Sequence, residues 1–340
     1  PPNARAVAQA NAAMVMLEVR QCLAEAGAAS ACRRVLADHY KKNGEVVEEA
    51  LARMRNLVAG DSTICREAIV KSDGIRMIIN AMEENIENIQ ICVQGSLAIR
   101  NLACGDHKLL QALVDANGVQ VLIQALKLHK PEKVGKNAQY AELTRAVCAA
   151  LRNLAVDGWM AVARKYGMAA APAAAAAGAQ TAGVVPAMLA LGGVEVIVEA
   201  MQVHKTDPHV QSQGCGMLRN LSCGNINDKP SSQEAVRQLY ECGGLKAVLS
   251  AIRYNADDVG VVTQACGFLR NIATAYEWRG QLLSSGAVEA ATRALSTHGG
   301  HREVCEQASA CLANLLHQPL PAMAPSMAPS GALNGSMECG

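Results

Sequence analysis

Apolar residues return every three or four positions along most of the chain, the period of a helix that buries one face. Leu109, Leu110, Leu113 and Val114 mark one such face, Gly118 breaks it, and Val119, Leu122, Ile123 and Leu126 mark the next. The segment from Ile91 to Ala103 reads as a longer helix that should bury Ile91, Leu97, Ala98 and Leu102. The unit predicted is a short helix, a glycine turn, a second helix and a longer third one.

That unit recurs. The third helix carries Arg55-Asn56-Leu57, Arg100-Asn101-Leu102, Arg152-Asn153-Leu154, Arg219-Asn220-Leu221 and Arg270-Asn271-Ile272, with a degenerate copy at Ala313-Asn314-Leu315. The turn recurs as Asp73-Gly74, Asn117-Gly118, Gly192-Gly193, Gly243-Gly244 and Gly286-Ala287, with a weaker first copy at Gly27-Ala28. Turn and asparagine stand 27 or 28 residues apart in five copies, as from Gly74 to Asn101, and 35 apart between Gly118 and Asn153. A lone unit of this kind cannot cover its own apolar faces, so its neighbours must stack on it. The expected fold is all-α: a right-handed α-solenoid of about six three-helix repeats over residues 1–317, followed by a disordered tail over 318–340.

Three segments depart from uniformity. Residues 128–139 and Asn225 to Ser232, with Pro230, read as polar surface excursions, and Met168 to Gly183 as an Ala-rich low-complexity insertion. The charge-free span from Gly167 to Val194 is long enough to raise a membrane reading, but Pro172, Gly178, Gln180, Gly183 and Pro186 interrupt it. It also lacks the Leu, Ile and Phe content that drives insertion, so no membrane span is expected.

The glycine turn and third helices such as Gly216-Met-Leu-Arg-Asn-Leu-Ser222 resemble the armadillo-repeat family, of the β-catenin type, rather than HEAT or TPR repeats. The resemblance runs over residues 14–317. Within the family, Val210-Gln-Ser-Gln-Gly-Cys215 and His301-Arg-Glu-Val-Cys-Glu-Gln307 are most similar to the poorly characterised armadillo repeat-containing proteins.

Positions seven residues apart share a helix face. Seven before the ladder asparagine lie Gln94, Gln213, Gln264 and Gln307, with Glu49 in the first repeat and Ala146 in the third. Unpaired carboxamides are costly to bury, so each must find backbone, water or a partner. Two readings stand for Asn56, Asn101, Asn153, Asn220, Asn271 and Asn314. Either each amide fastens a turn of its own or a neighbouring repeat, or it grips the backbone of an extended partner chain along a concave wall, which is what the resemblance implies. Arg100, Arg152, Arg219 and Arg270 carry a similar pair of readings: ion pairs with carboxylates of the neighbouring repeat, or an edge that selects acidic partner segments by bidentate pairing. The resemblance also implies a contrast, because importin-type armadillo proteins place a Trp four residues before the asparagine. Here that position is Ala52, Leu97, Ala149, Gly216, Gly267 or Ala310, so no aromatic cage for lysine stems can form and a receptor for nuclear-localisation signals is disfavoured.

Composition adds exclusions. One Phe, two Trp and 51% hydrophobic residues suit closely stacked helices. A net charge of +1 without blocks of like charge gives no reason to expect nucleic acid or an anionic membrane as partner. Cys148, Cys215, Cys266, Cys305 and Cys311 read as small core residues, which points to a reducing compartment and a cytoplasmic location, with nuclear and ciliary locations open. The eight His give no convincing metal set: His298 and His301 read as solvated loop residues, and no cofactor is expected. The function expected is therefore non-catalytic: a scaffold for other proteins, holding an extended peptide. Two alternatives are a fixed part of a cytoskeletal or ciliary assembly, docked edge-on through Leu312, Leu315 and Leu316, and a regulatory segment of a larger protein. The oligomeric state is left open.

Overall fold

The computed structural model describes residues 16–60, 62–104, 107–130, 138–155, 184–222 and 230–316. Among them the helices follow in triplets. The first is α1 (16–25), α2 (Ala28–His39) and α3 (Gly44–Leu57). Next come α4 (Thr63–Lys71), α5 (Gly74–Glu84) and α6 (Ile89–Leu102), then α7 (His107–Asp115), α8 (Gly118–Leu128) and α9 (Ala138–Leu154). After these stand α10 (Val184–Ala190), α11 (Gly193–Val203) and α12 (Pro208–Leu221), then α13 (Pro230–Glu241), α14 (Gly244–Tyr254) and α15 (Val259–Ile272). The last triplet is α16 (Arg279–Ser284), α17 (Ala287–Thr297) and α18 (Arg302–Leu316). No strand occurs among the described residues.

Each third helix starts on a side-chain cap where the sequence supplies one. Asn43, Asn88, Asp207 and Asp258 accept hydrogen bonds from backbone N–H groups of the first turn, satisfying donors that have no partner inside the helix. The third helices α3, α6, α9, α12, α15 and α18 pack in series, each mainly against its neighbours on either side. Their buried faces, with the second helices, form one continuous core that holds Met54, Met82, Ile99, Leu102, Leu151, Met217, Leu218, Phe268 and Leu269. Ile91, Ala98 and Leu102 are buried as the pattern predicts, whereas Leu97 is only half-buried. It stands on the same side of α6 as Gln94 and Asn101, one turn from each, so it belongs to the ladder face and not to the core.

The turn between first and second helices is a two-residue device. Its first residue is left-handed in every triplet: Gly27, Asp73, Asn117, Gly192, Gly243 and Gly286 have φ between 57° and 90°. Its second residue is pressed against the preceding helix: a Cβ at Gly118 would stand 2.7 Å from the Leu113 carbonyl oxygen, and one at Gly244 2.6 Å from that of Leu239. The first and last triplets carry Ala28 and Ala287 here.

Two expectations change. Leu128 closes α8 while Ala138 and Gln139 open α9, and Pro230, Ser231 and Ser232 belong to α13, so both polar excursions are shorter than the sequence pattern gives. A proline suits a first helical turn, where its missing N–H has no partner to lose. Residues 131–137, Asn225 to Lys229, the Ala-rich insertion and the tail lie outside the described residues. No described helix is long and apolar enough to cross a membrane; the pair α7–α8, bent by 59°, reaches that length and apolar composition only when taken together.

The thiols of Cys92, Cys148, Cys266 and Cys311 are pushed up to about 12 by burial, and that of Cys215 is raised for the same reason. Cys305 departs from the core assignment: it is half-buried, with its sulfur toward the carbonyls of His298 and Gly299. At pH 8 a thiol titrating near 12 is ionised in only about one part in ten thousand. Iodoacetamide with peptide mapping should therefore modify the exposed Cys22 and Cys104 in the folded chain and reach Cys92, Cys148, Cys266 and Cys311 only on unfolding. A second expectation concerns the turn: Gly118→Ala should lower stability in urea by about 1–2 kcal/mol, because backbone rather than a flexible side chain must yield.

Candidate functional site: the ladder of third helices

Arg55, Arg100, Arg152, Arg219 and Arg270 each stand two residues before the end of a third helix, among the last four carbonyls that the helix itself leaves without a donor. The next repeat supplies one. The side-chain amide of Asn101 donates to the Arg55 carbonyl at 3.1 Å, Asn153 to Arg100 at 3.1 Å, and Asn220 to Arg152 at 2.9 Å. Asn271 donates to Arg219 and Asn314 to Arg270, each at 3.1 Å. A carbonyl only accepts, so these contacts fix the amide nitrogen inward.

The same arginines reach across the step with their side chains. Nη1 of Arg55 donates to Gln94 at 2.6 Å, Arg152 to Gln213 at 3.1 Å, Arg219 to Gln264 at 3.1 Å and Arg270 to Gln307 at 3.0 Å. Each of these arginines thus holds the following third helix at two points, the asparagine and the glutamine, about 10 Å apart along its axis. Only the Arg100 step differs, because Ala146 stands where the glutamine would be. Arg100 instead folds onto its own neighbour, with Nε and Nη2 donating to Asn101 Oδ1 at 3.2 and 2.9 Å. Glu49, in the glutamine position of the first repeat, is taken by Arg53 Nε of its own helix at 2.7 Å.

The fastening reading is thus realised for one half of the amide of Asn101, Asn153, Asn220, Asn271 and Asn314, though not of Asn56, and the half that remains differs along the array. Oδ1 of Asn56 and of Asn101 accepts from the adjacent Arg, while Oδ1 of Asn153, Asn220, Asn271 and Asn314 accepts from no described residue. The second N–H of Asn153 meets Cys104 Sγ at 3.0 Å, and that of Asn271 meets Ser222 Oγ at 3.3 Å. All of these asparagines except the exposed Asn56 are half-buried. For Arg55, Arg100 and Arg270 the ion-pair expectation is corrected: their partners are neutral amide oxygens, and none of the three forms a salt bridge with a described residue.

The small residues four positions before the asparagine also gain a reason. A Cβ on Gly216 would stand 2.7 Å from Arg152 Nε, and one on Gly267 2.5 Å from Arg219 Nε. The preceding repeat's arginine stem lies across the place where an importin-type Trp would sit.

A second ladder escaped the sequence reading. In four repeats the residue closing the second helix reaches back to the loop of the preceding repeat: Asn85 Nδ2 donates to the Tyr40 carbonyl at 2.6 Å and Asn255 Nδ2 to that of Lys205 at 2.8 Å. His129 Nε2 meets the Ile86 carbonyl at 2.9 Å and His298 Nε2 that of Ala256 at 2.7 Å, so both rings carry the hydrogen on Nε2. His298 is buried, not solvated. It fastens a loop, and no group of three or more potential metal ligands occurs among the described residues. All four residues follow the turn by eleven, as Asn85 follows Gly74 and His298 follows Ala287, and that constant offset was the available signal.

Stacked three-helix repeats, left-handed turns and an asparagine at every third helix define an armadillo-repeat solenoid. No protein-family profile matches the chain. It is similar to Armadillo repeat-containing protein 6 of Pongo abelii, 26% identical over 255 residues that cover 73% of this chain and 45% of that one, and to its Homo sapiens counterpart at 25%. The chain thus spans about half the length of these relatives. Protein aardvark of Dictyostelium discoideum is 34% identical over 83 residues, 24% of this chain and 11% of that one. Among solved structures, a designed armadillo repeat protein superposes with a TM-score of 0.63 at 17% identity, over 84% of this chain and 99% of its own. Another, in complex with the peptide (KR)4, reaches 0.61 at 16%, over 84% and 98%. At such identities these likenesses establish the fold.

The back-reaching ladder has a direct test. His298→Leu leaves the Ala256 carbonyl without a donor and should cost about 1–3 kcal/mol in urea unfolding. His298→Asn should cost clearly less, because Asn255 does the same work one repeat earlier.

Proposed function

We propose that the chain is a non-catalytic scaffold that holds an extended segment of another protein along its ladder face. The observation that carries this reading is the row of half-buried Asn153, Asn220, Asn271 and Asn314, whose Oδ1 atoms accept from no described residue. An extended chain passing along the third helices presents its own N–H and C=O groups to that row. Gln94, Gln213, Gln264 and Gln307 flank it, each Oε1 already accepting from an arginine and each Nε2 with no bond to a described residue. That one designed armadillo protein is in complex with a peptide agrees with such a use of the fold. Single backbone hydrogen bonds contribute only about 0.5–1.5 kcal/mol each, so affinity must come from several steps at once. The cysteine usage favours a cytoplasmic place for this work.

A second reading, docking into a larger assembly, rests on the first repeat. Met16, Val19, Leu23 and Val35 are exposed there, and an open apolar groove between α2 and α3 is lined by Ala31, Cys32, Val46 and Ala50. The other end gives less than the sequence pattern promises: Leu315 is core and Leu312 half-buried, leaving Leu316 exposed.

The test uses a displayed library of random peptides selected on the whole chain. The double variant Asn220→Ala with Asn271→Ala should lose about 1–3 kcal/mol of stability, because the Arg152 carbonyl loses its cross-repeat donor and the Arg219 carbonyl keeps only that of Ser222 Oγ. At a temperature where circular dichroism finds it fully folded, it should still bind the selected peptides about tenfold more weakly than the native chain. Equal binding by the folded double variant and the native chain would overturn the ladder as the binding surface.

A further inference from the structure

The charge on the third helices is segregated. The chain as a whole carries a net charge of +1, yet α6, α12 and α15 contain no Asp or Glu, and their only ionised side chains are Arg100, Arg219 and Arg270. The intervening α9 adds Arg145 and Arg152 against one carboxylate, Glu142. Acidic residues gather on the end helices instead, as Glu45, Glu48 and Glu49 on α3 and Glu303 and Glu306 on α18. Along the middle of the array the ladder face is therefore basic at every step.

The guanidinium groups are also underused. Those of Arg55, Arg100 and Arg270 pair only with neutral amide oxygens. A guanidinium has five N–H donors and binds a carboxylate bidentately, more strongly than a single amide oxygen. Arg100 is the least committed across its step, because Ala146 offers it nothing and its Nη1 has no bond to a described residue.

Resting on the groove proposed above, we propose that the segment it takes is acidic, with carboxylates that replace the amide oxygens on the arginine ladder and the Arg100 step at the centre of the site. From Arg55 to Arg270 there are four steps of roughly 8–10 Å each, which about eleven residues of extended chain would span. Aspartate or glutamate recurring along such a segment meets a guanidinium at each step, while the segment's backbone N–H groups face the asparagine oxygens. A basic peptide such as (KR)4 meets like charge along the same path.

The test is fluorescence anisotropy on the full chain with three fluorescein-labelled peptides of about twelve residues, long enough for the four steps, carrying alternate Glu, Lys or Gln in a Gly/Ala background. The Glu peptide should bind at least about tenfold more tightly than the other two, and its affinity should fall steeply between about 50 and about 300 mM salt. Arg100→Gln should weaken it about tenfold, while Arg253→Gln, an exposed change on the second helix α14, should leave it unchanged. The proposal is overturned if the Lys or Gln peptide binds as tightly, or if Arg253→Gln weakens the Glu peptide as much as Arg100→Gln, since binding would then be unspecific attraction. It is also overturned if none of the three binds. A preference for Lys or Gln that disappears in the asparagine double variant would reject the acidic assignment and leave the groove standing. Failure of the groove itself is read separately, from the displayed-peptide selection.

Discussion

A helix ends with four carbonyls that have no intrahelical donor, and in a solenoid the ends of the long helices are half-buried against the next repeat. Such a carbonyl cannot be left unmet without a cost of about 1–3 kcal/mol. This chain meets the requirement with one asparagine per repeat, set so that its amide reaches the arginine carbonyl of the helix before. The arginine's side chain then crosses the same step to a glutamine two turns away. Because backbone and side chain of one residue hold the neighbouring helix at two heights, they fix its rotation as well as its distance. Four of the five steps are registered in this way, and the step from Arg100 is held by its asparagine without the glutamine.

The consequence is that stability is carried by nearest-neighbour steps and not by contacts across the whole array. The second ladder, from Asn85, His129, Asn255 and His298 to the loops before them, fastens the opposite ends of the third helices in the same manner. Four of the five interfaces are thus clasped by hydrogen bonds near both ends of the long helix, with apolar packing between. Core side chains such as Phe268 and Met217 supply most of the driving force, since single neutral hydrogen bonds add only about 0.5–1.5 kcal/mol.

Most of the architecture was legible because it is written locally. A left-handed turn needs Gly, Asn or Asp, a buried face needs apolar residues at helical spacing, and both signals lie within a few residues of each other. What each ladder residue touches was not legible, because the partners are far apart in sequence: Asn220 and Arg152 differ by 68 positions, Arg270 and Gln307 by 37. The spacing of asparagine and glutamine showed a shared face and nothing about the arginine between them. The second ladder was hidden for a different reason. Asparagine and histidine alternate in it, so no single residue type repeats, and only the constant distance from the turn gives it away. His298 and His301 drew attention as a pair close in sequence, whereas the chemistry of His298 lies with a carbonyl 42 residues earlier.

The two uses of the ladder are compatible because an amide has two ends. Nδ2 faces inward and holds the repeats together, leaving Oδ1 on the side where a partner would lie, so a residue needed for stability is also available for recognition. The same division applies to the guanidinium groups of Arg55, Arg100 and Arg270, which spend some N–H groups on neighbouring amide oxygens and leave others without a bond to a described residue. A surface built this way is held rigid by the groups it would use for binding, so little ordering cost remains when a partner arrives. The Arg100 step is the exception that defines a centre. With Ala146 opposite, the arginine ladder there is joined by the asparagine alone, and the arginine that elsewhere ties two helices together is left turned onto its own Asn101. Where the fold makes the least use of a charged group, a ligand has the least to displace.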